Sequence, residues 1–103
     1  MKYKVLRTDK AEEQLRNIIF YIAGDSGSVD IALGYLEKLE KAIMNLEISP
    51  YIGVKPRYSI LRKQGYLVLI VEKHLVFYKV DDENKTVTIY SIMDGRREYK
   101  NLI

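Results

Sequence analysis

The sequence predicts an α+β fold in which a helical hairpin packs on one face of a mainly antiparallel, twisted sheet. Three observations carry this reading. Apolar residues recur at helical spacing through the first 48 positions, the period changes to that of strands from residue 57 onward, and the strand-like runs are joined by short polar turns. Short connections imply an antiparallel meander.

Each element follows from local chemistry. "YKVLR" (3 to 7) alternates and reads as a short strand. Asp9 and Glu12 then have the spacing of a capping box for a first helix over 9 to 23, with Ala11, Leu15, Ile18, Ile19 and Ile22 on one face. "GDSGS" (24 to 28) breaks that helix and supplies Ser28 as the next N-cap. The second helix, 29 to 48, carries Val29, Ala32, Leu36, Leu39, Ile43 and Leu46 at steps of three and four, and Ser49-Pro50 stops it.

Ile31, Leu33, Tyr35 and Met44 widen the apolar arc of the second helix beyond the ~100° that one packing surface requires, and Phe20 lies off the stripe of the first. This surplus suits either a partner segment or burial beneath loops and the sheet. Four strands are expected after that: "RYSILRK" (57 to 63), "YLVLIVE" (66 to 72), "LVFYKV" (75 to 80) and "TVTIYSIM" (86 to 93). "YLVLIV" is apolar at every position, which predicts a central strand covered on both faces. The element order is therefore β-α-α-β-β-β-β.

A chain of 103 residues, 48% hydrophobic and 30% charged, suits one globular domain spanning 1 to 103. Its longest apolar run is far short of a membrane span, and "MKYKVLRTDK" lacks the apolar core of a secretion signal, so no membrane association and a cytoplasmic location are expected. With no cysteine and one histidine, His74, there is no disulfide or thiol nucleophile, and no metal site or cofactor is expected. Residues 1 to 54 carry 7 Lys/Arg against 8 Asp/Glu, whereas residues 55 to 103 carry 10 against 6. The basic second half suits an anionic partner and a salt-sensitive association.

Basic groups interleave with aromatic rings in that half: Lys55, Arg57, Tyr58, Arg62, Lys63 and Tyr66, then Arg96, Arg97, Tyr99 and Lys100. Arginine forks bind phosphate or carboxylate bidentately, and tyrosine rings stack or offer a hydroxyl. A tail folded across the sheet would bring both clusters to one concave surface. His74, beside Glu72 at an expected hairpin turn, reads as a solvated turn histidine with a pKa near the ordinary ~6.5. Gly53, Gly65 and Gly95 are isolated and form no phosphate loop.

"AEEQL" (11 to 15), Ala32 at the start of the second stripe, "LEISP" (46 to 50) before Gly53, "LR" (61 to 62), "VFYKV" (76 to 80), "VTIYSI" (87 to 92) and "GRREY" (95 to 99) come in an order that resembles the RelE/ParE superfamily of type II toxin-antitoxin toxins. The resemblance implies that fold, a cognate antitoxin in a hetero-oligomer, and a target-facing surface bordered by the last strand and the basic tail. It divides by target. In RelE-like ribosome-dependent mRNA endonucleases, basic side chains neutralise the phosphate, and those positions fall here at Tyr58, Ile60, Leu67 and Arg97. Ile60 and Leu67 neither move protons nor stabilise a phosphorane by charge.

The run from Tyr66 to Asp81 together with "GRREY" is more similar to the ParE-type, plasmid-stabilisation branch, whose members poison DNA gyrase by binding it without covalent chemistry. On this reading Arg57, Tyr58, Arg62, Lys63, Arg96, Arg97 and Tyr99 face the target, and Phe20, Ile31, Tyr35, Arg62 and Arg97 meet the antitoxin. A ribonuclease would instead draw on Arg97, Tyr99, Arg62 and His74. A non-toxic binding module derived from the same fold is the third alternative. Asp94 stands where many relatives carry histidine or another polar residue, and it places a negative charge beside the basic pair.

Overall fold

The apolar stripes of the first half fold as a helical hairpin, and the later strands form the sheet against which it packs. In the computed structural model, which describes residues 2–96, β1 (Lys4–Arg7) leads into α1 (Asp9–Ser26) and α2 (Val29–Met44). A 3₁₀ turn at Asn45–Glu47 extends α2, and a short helix, α3 (Ser59–Lys63), precedes β2 (Leu67–Val71), β3 (His74–Asp81) and β4 (Thr86–Asp94). The spatial order is β1-β4-β3-β2, with β1 parallel to β4 and the other neighbours antiparallel. The α+β layering is the one expected from the sequence.

The helix caps explain where the hairpin bends. Thr8, one residue before the expected Asp9, is the N-cap of α1. Its backbone is extended, its hydroxyl oxygen accepts the Ala11 N–H at 3.1 Å, and Asp9 and Glu12 occupy the first turn, where carboxylates favour the helix dipole. The helix continues past residue 23 because Ser26 Oγ donates to the Ile22 carbonyl at 2.7 Å, and it stops where Gly27 takes the left-handed conformation at φ 70°. Ser28 caps α2 as expected, accepting the Ile31 N–H at 3.3 Å.

The hairpin buries Ala11, Leu15, Leu39, Ile43 and Leu46 against Val76, Tyr78, Val87, Ile89 and Ile92 of the sheet. The opposite face holds a smaller cluster of Leu61, Val68, Phe77 and Met93. The register shift between Phe77 and Tyr78 leaves Tyr90 as the extra residue of β4, so the helix-facing positions of that strand pass from Val87 and Ile89 to Ile92. Beyond the end of β1, the free edge of β4 is closed by the start of α1. Thr8 N–H donates to the Ile89 carbonyl at 3.0 Å, and Gln14 Oε1 accepts from Ile92 N–H at 2.8 Å and from Ser91 Oγ at 3.0 Å.

Two expectations need correction. Residues 57 to 63 do not form a strand: Ser59–Lys63 is a single helical turn that puts Leu61, 3% exposed, onto the outer face of the sheet. One buried anchor leaves no period from which a helix is read. β2 is also not central. It lies at the edge, and β3 and β4 form the interior pair. Its unbroken apolar run arises because the helices cover Leu67, Leu69 and Val71 on one face while α3 covers Val68 on the other, leaving Ile70 61% exposed. Among the described residues, its outer edge meets the loop through Val54 and Val68, whose N–H and carbonyl groups exchange two 2.8 Å bonds.

Candidate functional site

Several concavities open among the described residues. The first, about 630 Å³, lies between the tip of the helical hairpin and the turn joining β2 to β3, and Tyr21, Tyr35, Lys38, His74, Asp94 and Arg96 contribute to its wall. Glu72, with φ 54°, and Lys73 make that turn, so His74 is already in the ladder, opposite Val71 on one side and Asp94 on the other. It is 6% exposed, which overturns its expected role as a solvated turn histidine. Burial pushes its imidazole pKa down, as do Lys73 and Arg96, against the opposing pull of Asp94.

Tyr35 Oη approaches His74 Nδ1 at 2.6 Å and the Val71 carbonyl oxygen at 3.2 Å. One hydroxyl proton serves both contacts when it is donated to Val71 and the ring N–H is donated to Oη, which selects a ring protonated at Nδ1. Burial raises the Tyr35 pKa, and Glu72 and Asp94 add to that. The cations at this rim are largely matched. Lys38 Nζ meets Glu72 at 2.7 Å. Asp94 accepts from the Arg96 backbone N–H at 2.8 Å and from its guanidinium at 3.1 and 2.7 Å, and these bonds hold the Asp94 carboxyl far below the usual carboxylate range.

The second concavity, about 640 Å³, opens at the start of β2 between the loop after α2 and α3. Lys55, Ser59, Arg62, Lys63 and Tyr66 line it. Arg62 Nη1 donates to the carbonyls of Pro56 and Arg57, both at 2.8 Å, and so braces the loop while keeping its charge. Arg57 lies over the Tyr58 ring at 4.9 Å and donates to its hydroxyl at 3.1 Å. On the same outer face of the sheet, Lys79 Nζ stands 4.5 Å from the centre of the Tyr66 ring, which meets Tyr90 edge-on at 5.6 Å.

The third is a groove of about 300 Å³ between α1 and α2, lined by Leu15, Ile19, Phe20 and Leu36 with Arg7, Glu12, Arg16 and Glu40 around it. Arg7 ties the groove to β1: its Nη2 lies 2.7 Å from Glu40 Oε1, an ion pair without hydrogen-bond alignment, and its Nη1 lies 3.7 Å from Glu12.

The structure therefore distributes the sequence-predicted residues instead of gathering them. Arg57, Tyr58, Arg62 and Lys63 share the region of the second cleft, while Arg96 and His74 line the first. Phe20 belongs to the groove, and Ile31 and Tyr35 belong to the first cavity. Arg97 and Tyr99 lie outside the described residues. Sequence reasoning passed over Tyr21, Lys38 and Lys73 at the hairpin tip. Lys38 was detectable as the residue one turn beyond Tyr35 on the same side of α2. Among the described residues, no three His, Asp or Glu side chains are grouped to hold a metal ion, and no helix is long and apolar enough to cross a membrane.

The fold is a helical hairpin over a four-stranded sheet ordered β1-β4-β3-β2. It recurs in the chromosomal ParDE system of P. aeruginosa, at 18% identity over 90% of this chain and 96% of that one, with a TM-score of 0.74. It also recurs in the RelBE2 toxin-antitoxin complex of Mycobacterium tuberculosis (21% identity, 91% and 99% covered, TM-score 0.63). A free arginine-to-alanine double mutant of the E. coli toxin RelE shares it too (19% identity, 91% and 84% covered, TM-score 0.62). At such identities the likeness is one of fold. No curated protein sequence matches. The family model of the ParE toxin of the type II toxin-antitoxin system parDE matches residues 5–99, and the chain belongs to that family.

Proposed function

We propose that this toxin arrests growth by binding DNA gyrase and that a cognate antitoxin neutralises it. The observation that carries the reading is the chemistry at the positions that align with the basic residues of the nuclease branch. Leu67 packs against the helix-side core, Ile60 is 48% exposed and aliphatic, and Tyr58 packs beside Leu61 beneath the Arg57 guanidinium. None of the three supplies charge to a phosphorane. Of the remaining candidates, the two within the described residues lie apart: His74 is held by Tyr35 in the hairpin-tip cavity, and Arg62 braces a loop at the other cleft. The ParE family match supports the same branch.

On this reading Arg57, Tyr58, Arg62, Lys63 and Arg96, with Arg97 and Tyr99 beyond the described residues, face the target. The antitoxin covers the exposed Phe20 and Ile31 beside Tyr35 and meets Arg62 and Arg97 with acidic groups. Purified protein added to gyrase with relaxed plasmid should block supercoiling or trap DNA breaks. In parallel, end-labelled mRNA on programmed ribosomes should stay intact. Message cut in the ribosomal A site would replace this reading with the endonuclease one, and activity in neither assay with normal growth on expression would leave a non-toxic binding module.

A further inference from the structure

Tyr51, Lys55, Ser59, Arg62, Lys63 and Tyr66 contribute to the cleft at the start of β2, and among the described residues no carboxylate lines it. Arg7, Lys38, Lys41 and Arg96 each meet a carboxylate elsewhere. Lys55 and Lys63 have no ion pair among the described residues, and Arg62 donates to backbone carbonyls, which leave its charge uncompensated. Like charges concentrated in a cleft raise the local concentration of an anionic partner.

An aromatic ring stands ready beside that charge. Tyr51 is 58% exposed, yet its hydroxyl donates to Asp82, which fixes the direction of the ring. Among the described residues no cation and no second ring lies over it, whereas Arg57 lies over Tyr58 and Lys79 over Tyr66. An open ring beside unpaired cations answers both parts of a nucleotide: the base stacks and the phosphates meet the charge. An acidic peptide would use the charge alone, and the exposed aliphatic groups nearby, Ile52, Val54 and Ile60, stand outside the cleft wall. A paired base keeps its faces within its own stack, so the ring selects an unpaired strand.

We infer that this cleft takes up an unpaired stretch of DNA, with one base on the Tyr51 ring and the adjoining phosphates at Lys55, Arg62 and Lys63. The inference rests on the gyrase reading for the identity of the strand: the toxin grips the DNA on which gyrase acts as well as the enzyme itself. Its contacts do not involve the separate cavity of His74 and Arg96.

The test titrates the full chain into labelled oligonucleotides of about eight nucleotides and follows fluorescence anisotropy. Single-stranded DNA should bind at least about fivefold tighter than a duplex of the same length or a glutamate-rich peptide. Its affinity should fall about tenfold as salt rises from about 50 to 200 mM. RNA of the same sequence should bind within about threefold of the DNA, because no contact named above reaches the 2′ position, and both strands should be recovered at full length. Lys55→Ala/Lys63→Ala and Tyr51→Leu should each weaken binding by about tenfold with an unchanged circular dichroism spectrum. Tyr51→Phe, which keeps the ring, should stay within about threefold of the native chain. No binding of the single strand, tighter binding of the duplex or the peptide, RNA bound more than about tenfold tighter, a cut strand, or equal losses in Tyr51→Leu and Tyr51→Phe would each overturn the inference. Supercoiling assays separate it from the reading on which it rests. Gyrase inhibited by a chain that binds no strand overturns the inference and spares that reading, whereas strand binding with gyrase unaffected overturns the reading and leaves the strand site standing.

Discussion

The Tyr35 hydroxyl lies 2.6 Å from His74 Nδ1 and 3.2 Å from the Val71 carbonyl oxygen, so one side chain of α2 pins both strands that flank the β2–β3 turn. The rings themselves meet at a tilt, with centroids 5.3 Å apart. The imidazole is thereby held in a site that burial makes unfavourable for its charged form, with Asp94 opposing that effect and Lys73 and Arg96 reinforcing it.

A pH dependence follows. Unfolded His74 titrates near ~6.5 and the folded group titrates lower, so between the two values the unfolded chain binds more protons. The stability is whole above pH ~6.5 and is lost as the pH falls through the folded value. Because the chain has one histidine, urea midpoints at pH ~7.5 and ~5.5 should differ in the native protein. The difference should shrink in His74→Gln, and a slope that survives unchanged would assign it to other groups.

The hairpin was legible because its signal is redundant: Leu39, Ile43 and Leu46 recur at helical steps, and each is fully buried. The sheet order was not. The parallel pairing of β1 with β4 places β4 inside and leaves β2 outermost, a long-range contact that no local pattern encodes. At the candidate site, the interleaved basic and aromatic residues were visible as a class. Their individual contacts were not: Arg96 pairs with Asp94, Arg57 lies over Tyr58, and Arg62 donates to the Pro56 carbonyl while keeping its charge. His74 was misread because the turn before it is only two residues long, which puts position 74 inside the ladder.

Gly53 is required by a close approach. Its N–H donates to Tyr78 Oη at 2.9 Å, and a Cβ there would stand 2.5 Å from that oxygen, 2.8 Å from the Val68 carbonyl oxygen and 2.9 Å from Tyr78 Cε1. Tyr78 is fully buried and Val68 O is backbone, so neither yields readily. Gly53→Ala should cost about 1–3 kcal/mol by overpacking. Adding Tyr78→Phe should not restore stability, because the Val68 and ring contacts remain. Chemical denaturation of both variants checks this, and full recovery in the double variant would trace the cost to the hydroxyl alone.

Leu39 sits at the centre of the α2 stripe with no exposed surface, packed in the cluster that includes Ile43, Val76 and Tyr78. Leu39→Ala should destabilise the fold by roughly 2–5 kcal/mol through the cavity it leaves. Leu33→Ala, on the outer side of the same helix and 51% exposed, should fall within about 0.5 kcal/mol of the native protein. Comparable losses at both positions would mean that the outer side of α2 is packed as well.

Asp82 joins the far end of the molecule, accepting from Tyr3 Oη at 2.6 Å on one carboxylate oxygen and from Tyr51 Oη on the other. The clasp ties the start of β1 and the loop after α2 to the turn between β3 and β4. Both tyrosines must keep their protons to donate, so the Tyr51 pKa is pushed up to about 12, and the two hydrogen bonds hold Asp82 below its ordinary value. Asp82→Asn should bring the Tyr51 titration, followed by NMR of ring-labelled tyrosine, back toward the ordinary ~10. The depressed carboxylate gives the opposite end of the pH profile its sign: its contribution is present above the unfolded aspartate pKa of ~3.9 and is lost as the pH falls through the folded value. Acid unfolding of Asp82→Asn should therefore show a shallower slope below pH ~4 than that of the native chain, and an unchanged slope would mean that the clasp does not form in solution.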